Sequence, residues 1–249
     1  MSTLSRFIQI IKNDFKNYLR YSVLQTVLIL SVLFSVSMAF FPQIDPLILV
    51  YITVFILPVI ILSISIYIEN EEKTLFPLTM CDCSALEIIL AKVVSALLIL
   101  LIPLILYIII MFTVLHMSFN VLLFILIYLL SAVIHIIIGI VLAIISKSNH
   151  IMSISYIGYI VIFSVMPIFH QQGLIPEYFQ YILIVSPAYL SGLLFEQIII
   201  GYIHIADWLI ILAVLLQLIY IGVFTMFVIR PYFKSYLFYR INEKGERLG

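Results

Sequence analysis

Val121–Ile145 reads VLLFILIYLLSAVIHIIIGIVLAII, a run without a single Asp, Glu, Lys or Arg. Crossing the hydrocarbon core of a bilayer takes about 20 helical residues, so this stretch reads as a membrane span. Five more runs qualify on the same grounds: Ser22–Phe41, Leu47–Ile68, Val93–Leu115, Ile151–Phe169 and Trp208–Ile229. The whole chain agrees, with 65% hydrophobic and 10% charged residues over 249 positions. A soluble domain is about half apolar and about a quarter charged. Lipid must therefore be the solvent for much of this one.

The placement of basic residues gives the topology. Arg6, Lys12, Lys16 and Arg20 precede the first span, Lys73 and Lys92 fall between the second and third, and Lys147 between the fourth and fifth. Arg230, Lys234, Arg240, Lys244 and Arg247 follow the sixth, which accounts for all 12 Lys and Arg. Every one is on the same side of a six-span arrangement. The other side (Pro42–Pro46, His116–Asn120 and Gln171–Asp207) has none. Positive charge is retained inside, so both termini are expected in the cytoplasm of a multi-pass cell-membrane protein.

Three segments flank or interrupt the spans. Residues 1–21 form the first: Leu4, Phe7, Ile8, Ile11, Phe15, Tyr18 and Leu19 recur at helical spacing, with Arg6, Gln9, Lys12, Asn13, Lys16 and Asn17 opposite. That pattern predicts an interfacial helix with its basic side to water and headgroups. It leaves open a plain anchor or an elbow that also touches a cytoplasmic partner. Because this helix precedes a full-length span, the N-terminus does not read as a cleaved signal. Gln171–Asp207 is apolar but broken by Pro176, Pro187, Glu177 and Glu196. It predicts two short helices dipping into or lying on the outer leaflet, as buried irregular backbone can where protein surrounds it. Residues 230–249 form a cytoplasmic tail. The expectation is one transmembrane domain over 1–249, with its bundle at 22–229.

Chemistry is sparse. The eight glycines are scattered and none opens a phosphate-binding loop. Neither H-E-x-x-H nor G-x-S-x-G occurs. Cys81 and Cys83 lie in a segment placed in the cytoplasm, where a structural disulfide is disfavoured, and a C-x-C pair alone is too little for zinc. No catalytic, metal or cofactor residues stand out, and the zero net charge gives no case for nucleic acid. His135 lies within a span, and an intramembrane ionisable group is costly. A neutral imidazole bonded to a neighbouring helix is the favoured reading over proton transfer or substrate contact. Pro58 and Pro103 sit inside spans two and three, where each removes a backbone hydrogen bond and can act as a kink or hinge.

The densest polar stretch is Glu69–Lys92, between spans two and three. Pro77 interrupts it, and Asp82 or Ser84 can cap a helix running into span three. The connectors after spans one, three and four are much shorter, so a loop of this length has a task. An acidic helix held just beneath the membrane is a docking surface for a soluble partner.

These residues also carry a resemblance. Glu69-Asn70-Glu71-Glu72-Lys73-Thr74-Leu75-Phe76-Pro77-Leu78, followed by Ser84 and by Glu87 through Ala91-Lys92, resembles the permease subunits of ABC-2 type transporters. Lys73 stands where that family usually has Gly, and its usual proline is missing at Asp82–Cys83. Leu174-Ile175-Pro176, Ser186-Pro187-Ala188-Tyr189 and Leu194 to Gly201 resemble the family's external re-entrant hairpin. The likeness runs in order over nearly the whole chain.

What the resemblance implies is an all-α six-span permease forming half of an exporter's pathway. A second permease copy or paralogue completes it, and a separate ABC ATPase subunit binds ATP and Mg. Glu69, Glu71, Glu72, Lys73, Thr74, Leu75 and Phe76 would form the coupling helix against that ATPase. The substrate would be amphipathic or hydrophobic: a drug, peptide or lipid. Two rivals are weighed. One is an immunity or sequestering membrane protein without transport. The other is an intramembrane protease using Glu71 and Glu72, which would require a following Arg and more than one His within the spans.

Overall fold

The computed structural model describes residues 3–41, 45–72, 83–146, 148–199 and 207–233. Every regular element among them is helical. In order these are α1 (Thr3–Arg20), α2 (Val23–Phe40), α3 (Pro46–Glu71), α4 (Ala85–Thr113) and α5 (Val121–Ile145). Next comes α6 (Asn149–Tyr159), which runs through a π-helical turn, Ile160–Val165, into α7 (Met166–Gln171). A 3₁₀ turn at Glu177–Phe179, α8 (Gln180–Leu183) and α9 (Pro187–Ile199) lead to α10 (Asp207–Val223), which ends in a second π turn, Phe224–Ile229.

Six helices are long and apolar enough to cross a membrane: Val23–Phe40, Pro46–Glu69, Ala85–Thr113, Val121–Ile145, His150–His170 and Trp208–Phe233. They match the six expected runs, with one informative shift. The third helix starts at Ala85, two turns before Val93. Ser84 explains the start: its hydroxyl accepts from the Glu87 N–H at 3.2 Å while the Glu87 carboxylate accepts from the Ser84 N–H at 2.7 Å. This reciprocal capping satisfies two backbone donors at the helix N-terminus. It also carries Lys92 inside a continuous helix, where the sequence reading had put it in the connector.

Helices α3, α4 and α5 form the centre, and α2, α6 and α10 the periphery. Of the second span 72% is buried, against 17% of the sixth. Between lipid-soaked helices there is no hydrophobic drive, so association depends on close packing. Gly139 on α5 provides it against α3: a Cβ there would meet the Val59 carbonyl oxygen at 3.0 Å and the Leu62 Cβ at 3.1 Å. Hydrogen bonds add to the packing. The hydroxyls of Thr53 and Tyr107 pair between α3 and α4, Tyr128 donates to the Leu100 carbonyl at 3.1 Å, and Gln217 donates to Ser191 at 2.9 Å. Outward faces such as Leu28, Ile29, Val32 and Leu33 on α2, and Ile211, Leu215 and Leu218 on α10, stay exposed. In hydrocarbon such faces carry no penalty.

In the segment before the last span, α9 begins on Pro187 and buries Pro187 through Phe195. It packs among α3, α5 and α10. Tyr178, Tyr181 and Ile182, just before it, are exposed. Pro58 and Pro103 both lie inside their helices, α3 and α4. The expected tail from residue 234 onward lies outside the described residues.

Candidate functional site: a buried ionic clamp

Helix α1 has three faces. Leu4, Ile8, Ile11, Phe15 and Leu19 follow one stripe, and Gln9, Lys12, Asn13, Lys16 and Arg20 a second. With 3.6 residues per turn, a third stripe remains at Ile10, Asp14, Asn17 and Tyr18, and all four are buried. The sequence reading recognised the first two stripes and put Asn17 on the water face. Asn17 is instead turned into the bundle, because its amide has an ionic partner there.

That partner belongs to a cluster built from three helices. Lys92 of α4 places Nζ 3.0 Å from Oδ1 of Asp14 on α1 and 2.6 Å from Oε2 of Glu69 on α3. The remaining carboxylate oxygens are also met. Ser95 Oγ lies 3.0 Å from Asp14 Oδ2 and shares its one proton between that oxygen and the Ala91 carbonyl at 2.7 Å. Asn17 Nδ2 and Ser65 Oγ both donate to Glu69 Oε1, each at 3.2 Å. Lys92, Asp14 and Glu69 are no more than 1% exposed. Burying charges is tolerated when they are paired and their lone pairs are occupied, and here all four carboxylate oxygens have donors. Tyr18 lies alongside. Burial first, and then the Asp14 carboxylate, push its hydroxyl well above the ordinary tyrosine value.

Outer contacts extend the clamp along α1. Arg6 lies 3.6 Å from Glu87 near the start of α4. At the other end of α1, Arg20 lies 3.0 Å from the Glu72 carboxylate and the Tyr21 hydroxyl donates to it at 2.7 Å. Such exposed pairs contribute about 0–1 kcal/mol each, so they set register more than stability. The turn from α1 into α2 is made by Ser22 in the left-handed conformation, φ 58°. It costs roughly 1 kcal/mol for a residue with a Cβ and folds the first span back beside α1. Together these contacts join α1, the end of α3 and the start of α4 into one body. The connector at residues 73–82 leaves from that body and returns to it.

The positions expected to form the docking helix separate. Glu69 is fully buried and bonded within the clamp, where Asn17, Ser65 and Lys92 take up its oxygens. Glu71 ends α3, and Glu72, just after it, is exposed. Lys73, Thr74, Leu75 and Phe76 lie outside the described residues. His135 bonds the Ser131 carbonyl of its own helix at 2.6 Å and not a neighbouring helix as expected, because that carbonyl, one turn back, is within reach of Nδ1. Asp14 and the inward turn of Lys92 escaped the sequence reading. The available signal was Asp14 on the wheel between Ile10 and Tyr18, an acid where the pattern is otherwise buried.

The ABC-2 type transporter family model matches residues 5–200 of this chain, and the chain belongs to that family, whose members are the membrane-embedded permease components of ABC transporters. The matched stretch contains every member of the clamp. No curated protein and no solved structure matches.

Proposed function

We propose that the chain is half of the translocation pathway of an ABC exporter, completed by a second permease copy or a paralogue and driven by a separate ATPase that binds ATP and Mg. The observation that carries this reading is the clamp. Because the two helix ends bordering residues 73–82 are fixed to each other and to α1, a force applied at that connector would reach the second span, the third span and α1 together. That is the mechanical property a permease needs where a soluble motor docks, since the motor can bias a two-state membrane body only through contacts that differ between the states. With all 12 Lys and Arg on that side by sequence, the docking end and both termini face the cytoplasm.

Glu71, Glu72, Lys73, Thr74, Leu75 and Phe76 then form the docking surface, and Glu69 holds it from behind. The cargo that goes with this reading is amphipathic or hydrophobic, such as a drug, peptide or lipid. The deciding experiment is a mild-detergent pull-down of the tagged chain from its native membranes. A nucleotide-binding subunit in near-equal amount is the expected result; recovery of the chain alone would overturn the proposal. Glu71→Lys and Glu72→Lys should each lower that recovery while leaving the permease folded. Undiminished recovery in both would remove the docking assignment.

A further inference from the structure

The bundle contains a second buried polar group, and in contrast to the clamp it is unfinished. The Tyr51 hydroxyl on α3, Ser131 Oγ and His135 Nε2 on α5, the Tyr159 hydroxyl on α6 and Ser164 Oγ in the π turn are buried without a hydrogen-bond partner. Tyr51 is 2% exposed, His135 0% and Tyr159 8%. The rings are gathered together. Phe55 stacks on His135 with centroids 4.6 Å apart, Tyr51 meets Phe55 edge-on at 3.7 Å, and Tyr159 meets His135 edge-on at 6.2 Å. Within a membrane no bulk water reaches such groups, and leaving several of them bare is costly.

The donor and acceptor pattern defines what would complete them. His135 Nδ1 faces the Ser131 carbonyl at 2.6 Å, and a carbonyl only accepts, so Nδ1 carries the proton. In the neutral imidazole that a fully buried apolar site favours, Nε2 is then a bare lone pair. The two phenols each have a proton to donate. His135 and the two phenols therefore offer one acceptor and two donors, while the Ser131 and Ser164 hydroxyls can each donate or accept. An oxygen with one hydrogen and two lone pairs is the complement: its O–H donates to Nε2 and its lone pairs accept from the two tyrosines. An ammonium has no lone pair for the phenols, and a carboxylate has no hydrogen for Nε2.

The local backbone is also irregular here. Tyr159 immediately precedes the π turn Ile160–Val165, and such turns recur at functional positions in helices. The turn is held from outside, because Ser186 Oγ donates to the Phe163 carbonyl at 2.6 Å.

We propose that His135, Tyr51 and Tyr159 bind a hydroxyl oxygen inside the bundle, supplied either by the alcohol group of an amphiphile or by a water molecule. If the occupant is an alcohol, its role as cargo rests on the transport reading above. The oxygen site itself does not, and it is tested on this chain without an ATPase.

The test uses the full chain labelled with ¹⁵N-histidine in phosphatidylcholine nanodiscs, whose lipid brings no hydroxyl donor. The His135 signal is assigned by its loss in His135→Gln. Should that variant not fold, replacing His116, His150, His170 and His204 isolates the same signal. The expected result is an unprotonated Nε2 at a hydrogen-bonded chemical shift. Polarisation transfer from water protons to that nitrogen identifies water as the occupant. A saturable shift on adding 1-dodecanol, with none from dodecane, identifies an alcohol. The Tyr51→Phe, Tyr159→Phe double variant should then weaken dodecanol binding roughly tenfold or more, the loss of two neutral hydrogen bonds. A protonated Nε2, a free lone-pair signal indifferent to water and dodecanol, or an equal response to dodecane would each overturn the proposal.

Discussion

Lys92→Met removes the ammonium that Asp14 and Glu69 share at 3.0 and 2.6 Å, while keeping most of the side-chain volume. Asp14 retains Ser95, and Glu69 retains Asn17 and Ser65, but both charges lose their counterion in a site almost without solvent. Breaking a buried pair from one side costs about 3–5 kcal/mol. For a chain of this size that corresponds to roughly 6–20 °C in Tm.

The assay is thermal loss of the monodisperse detergent-solubilised peak, followed at pH 7, together with protease accessibility of α1. Lys92→Met should melt earlier and release α1 to protease. The triple variant Asp14→Asn, Glu69→Gln, Lys92→Met should regain most of the lost stability, because it removes every charge and leaves polar groups of similar shape. A single variant as stable as wild type at pH 7, or a triple variant no better than the single, would refute the account of the clamp.

Three further outcomes follow from the packing. Gly139→Ala places a methyl 3.0 Å from a backbone oxygen that cannot rotate away, so it should destabilise by about 1–3 kcal/mol. Gly158→Ala, with nothing within 4 Å, should be neutral or stabilising by up to about 1 kcal/mol; equal melting points for the two would contradict the close approach of α3 and α5. Tyr18→Phe removes a buried hydroxyl with no hydrogen-bond partner and should not lower stability at pH 7. Since the folded-state value of Tyr18 is raised, wild-type stability is intact below about pH 10, where unfolded tyrosine ionises, and falls above it. The variant should lose less over that alkaline limb, and parallel limbs would refute this. Gln217→Leu breaks the bond to Ser191, and since such intramembrane bonds average about 0.6 kcal/mol, a melting shift larger than a few degrees would show that this contact had been undervalued.

Glu72 is bound to Arg20 and Tyr21, so a partner that engaged Glu72 would compete directly with contacts that fix α1. Docking and the position of α1 would then be linked, and by reciprocity holding α1 in place would alter partner affinity. Arg20→Ala frees Glu72 from one of these contacts, and comparing its pull-down recovery with wild type measures that linkage.

The sequence by itself determined the six spans, their order and the amphipathic helix before the first of them. Lipid imposes a simple requirement that reads locally: about 20 apolar residues, backbone bonds closed within each helix, and few charges between the ends. The cap was half legible for the same reason: the sequence allowed Asp82 or Ser84, and the contact of Ser84 with Glu87 three residues on selects Ser84. What only the tertiary structure decided is where the polar minority points. Asp14, Glu69 and Lys92 lie on separate elements, and a charge at a span boundary can equally turn to water or inward. The choice depends on whether another helix delivers its counterion, which no local pattern encodes. His135 shows the same limit: its place in a span was evident from sequence, whereas its partner, its bare Nε2 and the neighbouring phenols of Tyr51 and Tyr159 exist only because α3, α5 and α6 pack together.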